Sequence, residues 1–330
     1  MCGIAGVIYR NPTTERSLGS DLLTLVRPLE SRGPDSCGVA LYRGDLAAHQ
    51  VKLMLFIEQR LAEPGTGAAL QQWLAQYAQG EAFEPIGSSH RLILSLNQAN
   101  GHRTQISLRE LRTALQDKFP QVTVMSTGQM LEIYKSVGSV QHLTQDYGLE
   151  KFAGSHGIGH TRMATESVVD TDHCHPFTAA EDLAVVHNGQ ISNYYRLRAN
   201  LERAGAVFET ANDSEAIGHY LRFQFLQGKS LEEALANLGK DFDGTYTILV
   251  ATRDKVALAR DKFAAKPAVI YESAEMVAIA SEYRAFLNLP GFDANATIRE
   301  PDAGEVNVWP VLNVAQTAPS MPEIVSGVGA

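Results

Sequence analysis

The sequence predicts an α+β protein in which helices face two β-sheets. Strand-like segments come in groups, helical segments come in pairs, and neither GxGxxG nor GxxxxGK[ST] marks an alternating parallel sheet. CGIAGVIY (2–9) reads as a short buried strand, its glycines permitting close backbone approach. Helix follows over 17–33, where Leu18, Leu22, Leu25, Val26 and Leu29 share a face and Arg32-Gly33-Pro34-Asp35 makes the stop. CGVALYR and LAAHQVKL then read as a hairpin.

The texture changes between residues 62 and 154. ALQQWLAQYAQG is helical, SSHRLILSL strand-like, and SLRELRTALQDKF helical behind a Ser107/Glu110 capping box. VTVMS and MLEIYKSV add strand or short helix, so this stretch is expected to be a small α/β insertion. HGIGHTRM and DLAVVHNGQ resume the buried-strand pattern. Helices follow at ISNYYRLRANLERAG, DSEAIGHYLRFQFLQ and SLEEALANL, the last with Ser230/Glu233 as a capping box. TYTILVAT, VALAR, PAVIY and MVAIAS read as four strands of an antiparallel meander, before a Pro/Ala/Ser/Gly-rich tail.

The 330 residues are 45% hydrophobic and 20% charged, as in folded soluble proteins. A net charge of −9 without a basic run argues against nucleic-acid or anionic-membrane binding. No apolar stretch is long enough for a transmembrane span, and no signal-peptide pattern opens the chain. Three cysteines (Cys2, Cys37, Cys174) make no disulfide framework, which fits a reducing cytoplasm.

Cys2 follows the start methionine. It is either a small residue entering a strand or, once Met1 is removed, one residue carrying both a thiol and an α-amine. The amine's ordinary pKa of about 7.7–8.0 lets it take the thiol proton, so such a nucleophile carries its own base. Arg32 sits in a rigid turn. Arg162 is either a surface ion pair or a fork for a carboxylate. Asn188-Gly189 is either an ordinary turn or a pair of N–H donors for an oxyanion. Asp213 opens a helix, as N-cap or as acceptor for a substrate ammonium. His156, His160, His173, Cys174 and His175 invite a metal reading. However, HGIGH lacks the helix that i,i+4 ligation needs, adjacent side chains in HCH do not converge, and no CxxC pair is present. No metal is expected, and His175 before Pro176 is read as structural or pocket-lining.

Taken in order, MCGIAGV, RGPDSCG, GHTRMAT, HPF, HNGQISN, NDSE, FDGTYTILVA and RDKFAAKPAVI resemble the class II glutamine amidotransferases, which are N-terminal-nucleophile hydrolases. The likeness covers most of 1–290 and is interrupted from about 45 to 155. It implies a four-layer αββα sandwich spanning 1–310, the insertion at 45–155, and a tail at 311–330. By matching position it makes Cys2 the nucleophile and Asn188 and Gly189 the oxyanion hole. Arg162 would bind the glutamine α-carboxylate, Asp213 its α-amino group, and Arg32 would hold the Cys2 loop. Thr165 and His175 would be further pocket residues.

Departures stand at Met163 and Glu166, where many relatives have an aromatic and a histidine, and at Gln190, where HNGE is usual. With no sugar-isomerase half and no phosphoribosyl-diphosphate loop, the chain resembles stand-alone amidotransferase subunits related to the front domain of glutamate synthase, including the amidotransferase component of N-methylglutamate synthase. The resemblance implies a glutaminase without a cofactor of its own. It would feed a flavoprotein partner carrying FMN and iron–sulfur clusters in a hetero-oligomer. The alternatives are an amidophosphoribosyltransferase-like enzyme and a non-hydrolysing glutamine-binding regulatory subunit.

Overall fold

A computed structural model describes residues 2–11, 16–57, 65–77, 79–95, 107–164 and 168–312. Along the chain these form β1 (Gly3–Tyr9), α1 (Leu18–Val26), β2 (Ser36–Tyr42), β3 (Gln50–Ile57), α2 (Thr66–Leu74), β4 (Gln79–Ile86), β5 (Ser89–Ser95), α3 (Leu108–Lys118), β6 (Val122–Gly128) and β7 (Leu131–Val137). Then come α4 (Val140–Tyr147), β8 (His156–Arg162), β9 (Ala184–Ile191), α5 (Tyr194–Arg203), α6 (Asp213–Leu226), α7 (Leu231–Asp241) and β10 (Gly244–Ala251). The last are β11 (Lys255–Arg260), β12 (Val269–Glu272), β13 (Met276–Ala280), β14 (Thr297–Arg299) and β15 (Val306–Pro310). The protein is thus mixed α and β, with three sheets whose assigned pairings are antiparallel.

The seven-stranded sheet runs β14-β12-β13-β1-β8-β2-β7, and a four-stranded sheet runs β15-β11-β10-β9. Strand alternation shows how they face each other. A Cβ on Gly3 would meet Leu29, after α1, whereas one on Gly6 would meet Leu249 of β10 at 3.5 Å. Odd residues of β1 therefore face the helix side and even ones face the second sheet. Register carries the parity across: Ile4 opposes His160, and Ser36 opposes Arg162. The even positions of β1, β2 and β8 and the odd positions of β7 all look toward the second sheet. The largest core joins α1, the seven-stranded sheet and β9–β11 residues such as Val186, Leu249 and Leu258. On the other face of the second sheet, Leu197, Ile217, Leu221 and Leu235 of α5–α7 close a separate core.

The expected hairpin at CGVALYR and LAAHQVKL does not form. β2 pairs with β7 and β8, and β3 pairs with β5 and β6. The third sheet, β4-β5-β3-β6, packs α2 and α3 over Leu53, Leu55 and Leu92. It arises from the stretch expected as an insertion, but β7 of the same stretch joins the seven-stranded sheet. The four-strand meander also divides, β10–β11 lying in one sheet and β12–β13 in another. The first helix gives way at Arg27 to a 3-10 turn with Pro28 at its start, because proline cannot donate the next α-helical bond. Both capping boxes, Ser107/Glu110 and Ser230/Glu233, form as the spacing predicts. The tail from 313 and Thr165 lie outside the described residues.

Candidate active site

Cys2 stands one residue before β1, where several bonds fix the strand's start. Arg32 Nε donates to the Cys2 carbonyl at 3.0 Å, and its Nη1 reaches Glu282 at 2.7 Å. The Ile4 N–H donates to Ser281 Oγ at 2.9 Å. Cys2 itself is half-buried, its Sγ 3.9 Å from the Met163 carbonyl at the end of β8. Arg162, 4% exposed, lies one residue before Met163 on the face turned to the second sheet, and its Nη1 donates to the Val168 carbonyl at 3.2 Å. Asp35 of the RGPD turn accepts the Ala164 N–H at 2.7 Å and so ties that turn to the same strand end.

Across the gap lies β9, an edge strand of the second sheet whose outer side is bridged by Phe177 at Val185. On an antiparallel strand, peptide groups two residues apart turn to the same side. The His187 carbonyl accepts from His160 Nε2 at 3.0 Å, and the Ile191 N–H donates to Asp213 Oδ2 at 2.9 Å, so both point off that edge. Gly189 lies between them. Its partner Tyr246 spends its own N–H and carbonyl on Asp261, which makes this a non-hydrogen-bonded pair. The Gly189 N–H therefore also points off the edge, toward the seven-stranded sheet that His160 bridges.

Only glycine fits this position. Gly189 has φ +149°, and a Cβ would stand 2.0 Å from the Thr245 carbonyl oxygen and 2.9 Å from His187 Nε2. Next to it the Asn188 Nδ2 is buried and has no hydrogen-bond partner among the described residues. Two donors thus come from neighbouring residues, one whose direction follows from strand parity and one on a buried side chain, and donors of this kind can meet an oxyanion.

Asp213 occupies the first turn of α6, but the N-cap is Asn212, whose side chain accepts the Ser214 N–H at 2.9 Å. The N-cap alternative for Asp213 is therefore corrected, and its carboxylate points instead at β9. Burial pushes that carboxyl up, but His187, the Ile191 amide and Ser214 outweigh it and hold the group below the ordinary aspartate range. His187 Nδ1 stands 3.7 Å from Asp213 Oδ1 and shares a 3.0 Å hydrogen bond with Ser214.

His175 lies over the same face. Its ring stacks on His160 with centroids 3.9 Å apart, and its carbonyl sits where a Cβ on Gly38 would be, 2.2 Å away. Burial drives His160 down to about 3 and His175 well below the usual histidine range, so both rings are neutral. His173, Cys174 and His175 lie in a turn rather than an extended strand, and His173 pairs with Asp170 at 2.7 Å. Among the described residues no group of three or more His, Cys, Asp or Glu side chains gathers to hold a metal, and no helix is long and apolar enough to cross a membrane.

The structure thus gathers Cys2, Arg32, Arg162, His175, Asn188, Gly189 and Asp213 about the gap between the two sheets. His160 and Ser281 also belong to this assembly, and sequence reasoning had given neither a role at the site. For His160 the signal was present: alternation along HGIGHTR puts it on the face of Arg162.

A family profile described as "Glutamine amidotransferase domain" matches residues 160–288. The glutamine amidotransferase-like protein GlxB of Rhizobium meliloti (strain 1021) is 37% identical over 310 residues, covering 94% of this chain and 98% of that protein. An amidophosphoribosyltransferase of Methanocaldococcus jannaschii is 30% identical over 184 residues, 55% of this chain and 38% of that one. The solved glutamine phosphoribosylpyrophosphate amidotransferase from B. subtilis superposes with a TM-score of 0.57 at 20% identity, over 93% of this chain and 47% of its own, a likeness of fold. With GlxB matched over nearly its whole length, the chain belongs to the glutamine amidotransferase family.

Proposed function

We propose that the protein is a glutaminase subunit that hydrolyses glutamine to glutamate and ammonia through a thioester on Cys2. One observation carries this reading: Asn188 Nδ2, buried and without a partner among the described residues, adjoins Gly189, whose N–H points off the β9 edge. After Met1 is lost, the Cys2 α-amine takes the thiol proton and the thiolate attacks the side-chain amide carbon. The negative charge that forms on oxygen is met by Asn188 Nδ2 and the Gly189 N–H. The amine proton passes to the leaving nitrogen, ammonia departs, and water then releases glutamate from the thioester. Arg162 holds the substrate α-carboxylate and Asp213 its α-ammonium, while Arg32 fixes the carbonyl of the nucleophile. Thr165, outside the described residues, is assigned to substrate binding on the family resemblance alone.

The layers α1, seven-stranded sheet, four-stranded sheet and α5–α7 support the four-layer αββα sandwich. In this reading the amidotransferase domain runs over 1–310, with the insertion at about 45–155 and the tail at 311–330. Released ammonia needs an acceptor. We assign that role to a glutamate-synthase-like or N-methylglutamate-synthase-like flavoprotein partner, which would supply FMN and iron–sulfur chemistry. Intact-mass measurement is the first test and should find the chain beginning at Cys2; retained Met1 would block the amine and overturn the mechanism. Ammonia release from glutamine should vanish in Cys2→Ala, and the tagged protein should co-purify with a flavin-containing protein.

A further inference from the structure

The HGIGH run supplies neither the nucleophile nor a substrate contact in the chemistry above. His156 and His160 lie four apart on β8, so both rings stand on the face turned to the second sheet, roughly 13 Å apart along the strand. Each crosses the gap in the same way. His156 Nε2 donates to the Thr252 carbonyl at 2.8 Å, and its ring stacks on Tyr42 with centroids 4.1 Å apart. His160 Nε2 donates to the His187 carbonyl at 3.0 Å, and its ring stacks on His175. Both rings are buried and neutral, and a carbonyl can only accept, so the single proton of each is on Nε2. The strand is pinned to the second sheet at two points.

The two pins differ in what they hold. Thr252 lies in the turn between β10 and β11, where its hydroxyl and N–H serve Asp254 and Lys255. The His187 carbonyl belongs to the peptide that leads into Asn188, with Gly189 next. On the other flank β10 grips β9: because Gly189 and Tyr246 are a non-hydrogen-bonded pair, Asn188 and Thr247 exchange both backbone bonds. That grip fixes which way the Gly189 N–H points. It does not fix how far the donors lie from Cys2, which leads into a strand of the other sheet. Elsewhere the sheets meet in a core that includes Ile4, Val186 and Leu249, and apolar contact is non-directional. His160 opposes Ile4, two residues from Cys2, and precedes Arg162 by two on the same face.

We propose that His160 is a positioning residue of the glutaminase reaction: by holding the His187 carbonyl, its Nε2–H sets the distance between Cys2 and the Asn188 and Gly189 donors. This rests on the glutaminase reading of the site. A misplacement of about 1 Å in such a distance can cost about 10²-fold in rate. The test compares steady-state glutamine hydrolysis and thermal melts of the full chain in His160→Leu, His160→Gln and His156→Leu. His160→Leu should lower kcat about 10–100-fold with KM held within about twofold. His160→Gln, whose side-chain amide puts an N–H near the place of Nε2, should keep kcat within about threefold of the unmodified protein. His156→Leu breaks the equivalent pin away from the donors. It should lower the melting temperature as much as His160→Leu does, yet leave kcat within about twofold.

An unchanged kcat in His160→Leu overturns the proposal, as does an equal fall in His156→Leu, which would make the loss one of general packing. A rise in KM alone would place the effect on substrate binding, and failure of His160→Gln to restore turnover would separate it from the hydrogen bond; either result also overturns it. Should His160→Leu fail to fold by circular dichroism, His160→Asn takes its place, its amide too short to reach the His187 carbonyl, and is read the same way. If the unmodified protein releases no ammonia from glutamine, the glutaminase reading falls and this proposal with it, whereas turnover indifferent to His160 overturns the proposal alone.

Discussion

A buried amide donor left without an acceptor, as at Asn188, costs a folded chain about 1–3 kcal/mol. Under the proposed function, a transition-state oxyanion would remove that cost at the moment of reaction. Asn188→Ala should therefore lower kcat for glutamine by about 10²–10³-fold while leaving the melting temperature unchanged or raised. Steady-state kinetics beside a thermal melt reads both, and a parallel fall in activity and stability would mark the residue as structural. At Gly189 the prediction is harsher, since an alanine Cβ would overlap the Thr245 carbonyl; Gly189→Ala should abolish ammonia release. The Asn-Gly pair was legible in the sequence as a donor pair or a turn. Which way the Gly189 N–H points was not, because that depends on Tyr246 being spent on Asp261 from another part of the chain.

Within elements, local pattern and partner choice separate cleanly. β2 is buried along its whole length, so no polar face reports which strand lies beside it, and proximity in sequence suggested a hairpin that β7 and β8 exclude. The same holds for the supposed meander. Capping boxes, by contrast, rest on bonds within one turn and were read correctly. A local conflict remains in the loop after β11, where Ala264 has φ +52°, a left-handed conformation that costs an L-residue roughly 1–2 kcal/mol. Its carbonyl nevertheless accepts from Arg260 Nη2 at 2.9 Å, which holds the turn. Ala264→Gly should raise stability by about 0.5–1 kcal/mol, the gain being trimmed by glycine's freer unfolded chain. Urea denaturation measures it, and a loss would show that the alanine methyl packs favourably.

Across the whole molecule, burial holds His156 down to about 4 and His160 to about 3. Below the ordinary histidine pKa of 6.5 the unfolded chain takes up these protons and the folded one does not. Stability is then complete above that pKa and falls with acidification, by about 1.4 kcal/mol per pH unit for each ring, until the folded values are reached. Urea titrations between pH 7 and 4.5 should show this slope. His156→Gln, which keeps a donor for the Thr252 carbonyl, should make it shallower by one proton.

A second whole-molecule feature is the charged junction between the third sheet and β7. Glu132, fully buried, accepts from Lys52 Nζ at 2.9 Å, Arg43 Nη2 at 2.9 Å and the Tyr134 hydroxyl at 2.6 Å. Glu132→Ala removes the nearer carboxylate from buried Lys52, leaving it Asp45 and the Arg43 carbonyl at 3.2 Å, and should cost about 3 kcal/mol in chemical denaturation, whereas Lys52→Met with Glu132→Leu should recover most of the loss.

That junction also decides how modular the chain is. Lys52 and Arg91 come from the third sheet, and Glu132 comes from the large one. Trimming away 50–128 would strip the carboxylate of two of its cations and leave it facing an apolar wound. The third sheet is therefore grafted rather than appended, and a shortened chain would need Glu132 replaced in the same step.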